Sequence, residues 1–246
     1  MDFFSFIRYN LVMQQYFSKK KINNILYLED NDLHHIKNVM RFKCGEKVIV
    51  NYEGISYMCE LMNDLVSAKI ESIYKSNVET YIHAYIPILT EEKMSFIFEK
   101  GTEMGVSEFT PVNFERCKFK LDKTKEEKKI IRWKRIVKEA SEQSRRIIIP
   151  KINSIINVKN ICKCNGVNIL CSLDKENVKS IKKVLNEESI CDKINLVFGP
   201  EGGISKTEEN YLENIGFTKT SLGPNVLRTE TVIINVCSVI NYVKGE

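Results

Sequence analysis

The chain has 246 residues, of which 43% are hydrophobic and 28% are charged, and its formal net charge at pH 7 is +5. This composition is typical of globular domains and excludes wholesale disorder, while the length fits one large domain or two modest ones. The longest apolar stretch, from Val232 to Ile240, is too short to cross a membrane. The N-terminus lacks the pattern of a signal peptide. The net charge alone does not establish a nucleic-acid partner.

The eight cysteines are scattered, with no Cys-x-x-Cys pair and no histidine at zinc-finger spacing. We therefore predict neither a disulfide framework nor a metal site. In a chain without a secretion signal, such cysteines indicate reduced thiols, which favours a cytoplasmic location.

Residues up to about Tyr74 are predicted to form short strands separated by turns containing Gly, Asn and Asp. One helix is expected to interrupt them, with Asp32 at its N-cap and with Ile36, Val39 and Met40 on one face. This pattern favours a small β-barrel. The predicted strands are Ile25–Leu28, Lys47–Tyr52, Ile55–Leu61 and Ser67–Tyr74.

After Thr80 the pattern changes to strands that alternate with helices, which predicts an α/β domain with a mainly parallel sheet. One long helix is expected around Trp133, and Ser205 and Glu208 predict a capping box at the start of another. Thr229 opens the last predicted helix. The expected strands are Tyr81–Ile86, Phe109–Val112, Val167–Leu173, Ile194–Phe198 and Thr218–Leu222.

Two loops follow predicted strands at the edge where parallel sheets bind ligands. The first is Gly199-Pro200-Glu201-Gly202-Gly203, whose glycines permit a close approach of the backbone to a ligand. It is neither a dinucleotide fingerprint nor a P-loop, and a tight turn is an equally good interpretation from the loop alone. The second runs from Ser221 to Arg228 and places Arg228 at a helix start, where the helix dipole does not favour a cation. Arg228 is therefore expected to face an anion or polar ligand, unless it pairs with Glu230 or Glu201.

The segment from Lys118 to Lys138 contains ten Lys or Arg residues and three Asp or Glu residues. Taken alone, such a run more often marks a solvated helix face than a nucleic-acid contact. Glu99, Glu103, Glu139 and Glu142 are candidate carboxylates, but their spacing does not identify an acid/base pair.

These two loops resemble those of the 16S ribosomal RNA uridine-N3 methyltransferase family (RsmE type), which belongs to the SPOUT superfamily. The likeness continues in order from about Met13 to Val243. Further matching segments are His34-His35-Ile36, Asn38-Val39, Thr102-Glu103, Gly105-Val106, Glu142-Gln143-Ser144, Pro150-Lys151 and Thr229-Glu230-Thr231.

The resemblance implies a small PUA-like RNA-binding β-barrel over residues 1–76. A SPOUT α/β methyltransferase domain with a C-terminal trefoil knot is implied over residues 77–246. It also implies a cytoplasmic homodimer that takes part in ribosome biogenesis by methylating N3 of a uridine in 16S ribosomal RNA. The small ribosomal subunit is the expected partner, and neither a membrane nor a metal is implied.

S-adenosylmethionine is the cofactor that the resemblance implies, bound among the knot loops. The cofactor-binding residues carried over are Leu173, Phe198, Gly199, Pro200, Glu201, Gly203, Ser221, Leu222, Gly223, Leu227 and Arg228. Arg228 is also the first choice for orienting the base or stabilising its anion. Glu230 is the second catalytic candidate, either as the proton acceptor or as the partner that orients Arg228, and a structural carboxylate at a helix start is an equal alternative.

The residues expected to contact RNA are Gln15, Arg41, Arg116, Arg145 and Arg146. Gln15 stands where the family usually has Arg, and Arg145 stands where it often has Gly. The twelve residues before Met13 have no clear counterpart. These departures put RNA contacts in question more than methyl transfer.

Two other functions remain open from the sequence. One is a SPOUT methyltransferase that acts on another RNA atom, such as a ribose hydroxyl, and the other is a non-catalytic RNA-binding protein of ribosome assembly. The paired loops favour the uridine family over both. A dinucleotide-dependent oxidoreductase would need an early Gly-x-Gly-x-x-Gly, which the chain lacks.

Overall fold

The structure is a computed structural model that describes residues 13–75, 80–119, 123–173, 178–187 and 193–244. Its contacts divide the chain into two compact units. The first comprises Met1–Val78 and Ser141–Ile148, and the second comprises Glu79–Ala140 and Ile149–Glu246. The domain boundary predicted at residue 76 lies outside the described residues.

The first unit contains a closed five-stranded barrel in the order β1-β2-β5-β4-β3. Neighbouring strands are antiparallel except where β1 closes the barrel against β3 in parallel. Alternating apolar side chains fill its interior, including Leu26, Val48 and Cys59, each fully buried. The strands are β1 (Gln15–Ile22), β2 (Ile25–Leu28), β3 (Lys47–Tyr52), β4 (Ile55–Leu61) and β5 (Ser67–Lys75).

The helix predicted between β2 and β3 begins earlier than expected. It is an α-helical turn, α1 (Asp30–His34), followed by a π-helical turn over His35–Met40. Glu29 takes the N-cap position that was predicted for Asp32. Asp32 lies one turn inside, where its carboxylate accepts a hydrogen bond from the Glu29 N–H. The prediction of an acidic cap was therefore right in kind and misplaced by three residues.

Arg145 has a left-handed backbone, with φ of +58°. That conformation is costly for a residue with a Cβ atom, which explains why a glycine is common at the matching family position. The Arg145 side chain is exposed, so its packing contributes little stability to offset the backbone strain.

Replacing Arg145 with glycine is expected to raise the free energy of unfolding by about 1 kcal/mol, because glycine adopts the left-handed conformation without strain. Arg145→Ala is the matched control, since it also removes the charge but keeps the Cβ atom and its strain. Urea denaturation of both variants measures the effect. Equal stabilisation by the two substitutions would show that the charge, and not the backbone, is responsible.

The second unit is a mixed α/β domain around an eight-stranded sheet in which every described pairing is parallel. The strand order is β11-β13-β10-β12-β6-β7-β8, with β9 also paired to β7. The strands are β6 (Tyr81–Pro87), β7 (Val106–Asn113), β8 (Lys151–Ile152), β9 (Ile156–Asn157), β10 (Val167–Cys171), β11 (Lys179–Ser180), β12 (Lys193–Phe198) and β13 (Thr218–Ser221).

Amphipathic helices cover this sheet and bury one face each. In the last helix, Val232, Ile233, Val236 and Ile240 follow helical spacing and are buried. No helix in the described ranges is long and apolar enough to cross a membrane. The helices are α2 (Glu91–Glu103), α3 (Lys123–Gln143), α4 (Ile181–Glu187), α5 (Lys206–Asn214) and α6 (Thr229–Lys244), and a 3-10 turn spans Val158–Asn160.

The predicted fold class is confirmed: a small N-terminal barrel precedes a parallel-sheet α/β domain. The predicted capping box of α5 forms, because the Glu208 N–H donates to the Ser205 hydroxyl and the Ser205 N–H donates to the Glu208 carboxylate. Trp133 is fully buried against Phe98, with ring centroids 5.0 Å apart. The trefoil knot implied by the resemblance remains a prediction.

One polar cluster lies within the sheet on β6 and β7. The His83 ring nitrogen Nε2 is 2.7 Å from the Thr110 hydroxyl, and Nδ1 is 3.8 Å from the Glu108 carboxylate. Burial lowers the pKa of His83 from 6.5 to about 4. Burial alone would raise the pKa of Glu108, but hydrogen bonds from Tyr81 and Asn153 outweigh it and lower this pKa from 4.5 to about 2.

Because of this cluster, we expect the free energy of unfolding to fall in acid. As the pH falls from 6.5 towards 4, the unfolded chain takes up a proton on His83 that the folded chain excludes. The free energy of unfolding should therefore fall by about 3 kcal/mol over that range. Glu108 adds a further loss between pH 4.5 and 2, because its carboxyl protonates first in the unfolded chain.

Urea denaturation at a series of pH values measures this loss, with His83→Gln as the comparison. Glutamine can keep the hydrogen bond to Thr110 but cannot take up a proton. The variant should lose stability less steeply between pH 6.5 and 4 than the parent chain. An identical slope in both chains would refute the assignment.

Candidate functional site

A cavity of about 1060 Å³ lies at the carboxyl ends of β10, β12 and β13. Parallel strands place the loops that follow them at one edge, so three segments distant in sequence meet there. The structure brings together every residue that the sequence predicted for the cofactor, together with Glu230. Those residues are Leu173, Phe198, Gly199, Pro200, Glu201, Gly203, Ser221, Leu222, Gly223, Leu227 and Arg228.

The loop after β12 is a tight turn with glycines at three positions where a side chain would be strained or would clash. The Gly203 N–H donates to the Pro200 carbonyl at 2.8 Å, and Gly203 has a φ of +73°. A Cβ atom on Gly199 would lie 2.5 Å from Ile204 Cγ1, and one on Gly202 would lie 3.2 Å from Arg116 Cβ. Gly199, Gly202 and Gly203 therefore bring bare backbone to the wall of the cavity, while Pro200 and Glu201 add side chains to it.

The loop after β13 is held by its own first residue. The Ser221 hydroxyl accepts a hydrogen bond from the Gly223 N–H at 3.3 Å, and Gly223 has a φ of +128°. At the other end of the loop, the Arg228 carbonyl accepts hydrogen bonds from the N–H groups of Thr231 and Val232, which begins α6. Both ends of the loop are thus fixed by local backbone interactions.

The Arg228 side chain is exposed and borders the cavity. It has no hydrogen bond or ion pair to any residue that the structure describes. Arg228 does not pair with Glu230 or Glu201 in the structure, because both carboxylates contact Lys93 instead. The guanidinium is therefore available to a ligand.

Lys93, in the first turn of α2, was missed by the sequence analysis. Its ammonium contacts the Glu201 carboxylate directly and lies 3.4 Å from Glu230 Oε2. Lys118 contacts the other Glu201 oxygen at 2.9 Å. Hydrogen bonds from Lys93 and Lys118 lower the pKa of Glu201 to about 2, and Glu201 in turn raises the pKa of Lys93. The helix that follows β6 begins at the same sheet edge as the cavity, which is the signal that could have identified Lys93.

Glu209 is a second residue that the sequence analysis did not identify. It is buried in α5, borders the cavity, and accepts a hydrogen bond from the Ser172 hydroxyl at 2.6 Å. The ammonium of the buried Lys219 lies 3.8 Å from the same carboxylate. This contact fixes the chain beside Leu173, which is itself 64% exposed at the rim. Glu209 thus positions a predicted cofactor contact.

The five residues predicted to contact RNA fall into two groups. Arg41, Arg116 and Arg145 are exposed. Gln15 and Arg146 are only 6% and 5% exposed, and the Gln15 amide donates to the Arg146 carbonyl at 2.6 Å. Burial leaves Gln15 and Arg146 little surface, so the three exposed arginines are better placed to meet RNA, and RNA contact by Gln15 and Arg146 stays a prediction.

The other candidate carboxylates lie outside the cavity. Glu99 and Glu103 both contact Lys100, and Glu139 contacts Arg135 at 2.7 Å on the same helix. Pairs of this kind are ordinary surface interactions on helices. Within the described ranges, no group of three or more His, Cys, Asp or Glu side chains could hold a metal ion.

Two family models match the chain and divide it near residue 76. A model described as an RNA methyltransferase PUA domain matches residues 28–76, and one described as an RNA methyltransferase domain matches residues 76–241. The second match alone covers more than half of the chain.

Similar proteins share the full length. Ribosomal RNA small subunit methyltransferase E of Bacillus subtilis is 32% identical over 249 residues, covering 94% of this chain and 96% of the relative. The protein of the same name from Aquifex aeolicus is 31% identical over 236 residues, covering 93% and 99%.

Solved structures have the same fold. A Legionella pneumophila protein, described as a methyltransferase in complex with the bound cofactor SAM, has a TM-score of 0.81 and 26% identity, covering 94% of this chain and 97% of that one. Ribosomal RNA small subunit methyltransferase E of Neisseria gonorrhoeae, bound to S-adenosyl methionine, has a TM-score of 0.80 over 94% and 98% of the two chains. It is 23% identical, so this likeness bears on the fold alone.

Proposed function

Because this chain belongs to the RNA methyltransferase family whose curated members are named ribosomal RNA small subunit methyltransferase E, we propose that it methylates N3 of a uridine in 16S ribosomal RNA. The chain is an S-adenosylmethionine-dependent enzyme of this family. The observation that supports the proposal most is the meeting of both glycine-containing loops and Arg228 at one cavity.

The cavity suits the cofactor in size and in chemistry. S-adenosylmethionine supplies a methyl group that is electrophilic because it is bonded to a sulfonium. The glycines of the turn from Gly199 to Gly203 and the loop beginning at Ser221 offer backbone N–H and carbonyl groups to an adenosine. Leu173, Leu222 and Leu227 add apolar surface to the same wall.

Methylation at N3 of uridine requires that the N3 proton leaves as the new N–C bond forms. The negative charge that develops on the uracil is shared with its carbonyl oxygens. A cation placed beside the base stabilises that charge, and we assign this role to Arg228. Its guanidinium is exposed at the cavity and has no partner among the described residues.

Glu230 is our candidate for the group that accepts the N3 proton. It lies at the start of α6, two residues after Arg228, and borders the same cavity. Lys93 contacts both Glu230 and Glu201 and so holds the carboxylate in place. Lys93 is therefore a positioning residue for this step.

The expected partners follow from the substrate. We propose that a homodimer acts in the cytoplasm on the small ribosomal subunit, with the cofactor loops knotted as the resemblance implies. In the barrel unit, Arg41 and Arg145 are exposed cations that can meet phosphates, and Arg132 and Arg135 are exposed on α3.

The test uses small ribosomal subunits from cells that lack this protein. They are incubated with the purified chain and methyl-labelled S-adenosylmethionine, and the labelled atom is mapped in the RNA. Label on N3 of one uridine is the expected result. Label on a ribose or on another base would refute the uridine-N3 assignment, and the absence of label with intact cofactor binding would refute the choice of substrate.

A further inference from the structure

A second cavity, of about 260 Å³, adjoins the cofactor cavity and shares the Pro200–Gly202 turn and Arg116 with it. Its floor consists of Ile88 and Leu89, which are 1% and 9% exposed and follow β6. Its remaining wall is formed by Thr90 and by the segment after β7, which contributes Arg116, Lys118 and Phe119.

Phe119 is the unusual member of this wall. Its side chain is large and apolar, yet 48% of its surface is exposed. It stands beside two cations and an apolar floor, so the cavity joins an open aromatic face to positive charge. That combination suits an unpaired nucleotide, which joins a flat, partly apolar base to an anionic phosphate.

The charges of the second cavity also favour an anion. Glu201 is its only described acidic wall residue, and Lys93 and Lys118 both contact that carboxylate. The Arg116 guanidinium donates one hydrogen bond, from Nη1 to the Gly202 carbonyl at 3.1 Å. A guanidinium has five N–H groups, and no other described residue accepts a hydrogen bond from this one. Arg116 therefore has donors left for a phosphate while it stays attached to the cofactor turn.

We propose that the second cavity binds an unpaired nucleobase next to the target uridine, stacked on Phe119, with the adjoining phosphate held by Arg116 and Lys118. This inference rests on the proposed function, because it names a further contact of the same RNA. It also gives the Pro200–Gly202 turn two tasks, since one face borders the cofactor cavity and the other borders the base.

The experiment compares Phe119→Ala and Phe119→Tyr with the parent chain, and Phe96→Ala serves as the matched control. Phe96 is 39% exposed and lines neither cavity. Steady-state kinetics give KM separately for small subunits and for S-adenosylmethionine. Phe119→Ala should raise KM for the subunit about tenfold and leave KM for the cofactor unchanged, since stacking on an aromatic ring is lost. Phe119→Tyr and Phe96→Ala should behave like the parent.

A second measurement does not depend on methyl transfer. In the Phe119→Trp variant, the new indole should be quenched when a single-stranded RNA oligonucleotide is added at low salt. The natural Trp133 is fully buried and supplies a constant background. If the parent chain labels no RNA but the quenching occurs, the proposed reaction fails and the base site stands. If the parent labels RNA but Phe119→Ala leaves KM unchanged, or no quenching occurs, the base site is refuted.

Discussion

Replacing Arg228 with alanine is expected to lower kcat for methyl transfer by about 100- to 1000-fold, the usual effect of removing a group that stabilises developing charge. The Kd for S-adenosylmethionine should change little, because the other ten residues predicted to bind the cofactor all line the cavity and are unchanged. The start of α6 should also survive, since Thr231 and Val232 bond to the backbone carbonyl of Arg228 and not to its side chain.

Single-turnover methylation of small subunits and equilibrium dialysis with labelled cofactor separate these two effects. Arg228→Lys is the matched control, because it keeps the charge and loses the planar fork of donors. It should retain more activity than Arg228→Ala. A near-normal kcat for Arg228→Ala would show that the guanidinium does not act on the base, and a parallel loss of cofactor affinity would assign it to binding instead.

Local signals predicted the elements that depend on a few neighbouring residues. The Ser205 and Glu208 capping box, the start of α6 at Thr229 and the strand Ile25–Leu28 were read directly from the sequence. The strand β1 was not, because Lys19, Lys20 and Lys21 interrupt its apolar pattern. It is a strand because the barrel supplies it with partners on both sides, and no local pattern contains that information.

The candidate site was predictable where the backbone itself forms it. After β12, a Cβ atom on Gly199 would clash with Ile204, and after β13, Gly223 has a positive φ that strains any other residue; both turns line the cavity. Lys93 and Glu209 were missed because their roles depend on partners more than 30 positions away in the chain. The burial of Gln15 and Arg146 was not predicted, for the same reason. A polar side chain looks like a surface contact until its buried hydrogen-bond partner is known.

The two cavities share a wall that is only one turn of backbone thick, so a small displacement of that turn should affect both ligands. Gly199 is the residue at which this can be tested. An alanine there would bring its Cβ atom to 2.5 Å from Ile204 Cγ1 and 3.1 Å from the Ile204 nitrogen. Overpacking of this kind costs the fold about 1–3 kcal/mol, and the turn relieves it by moving away from the position that lines the cofactor cavity. We therefore expect Gly199→Ala to weaken S-adenosylmethionine binding by about tenfold.

The clash has one side-chain partner, which allows a rescue experiment. Ile204→Ala removes Cγ1, so the double variant Gly199→Ala/Ile204→Ala should regain a large part of the affinity that Gly199→Ala loses, as measured by equilibrium dialysis. Ile204→Ala alone sets the baseline for lost apolar packing. Rescue would show that the turn must keep this position in order to hold the cofactor. If the two losses simply add, Gly199 acts through something other than its contact with the Ile204 side chain, and that contact does not set the position of the turn.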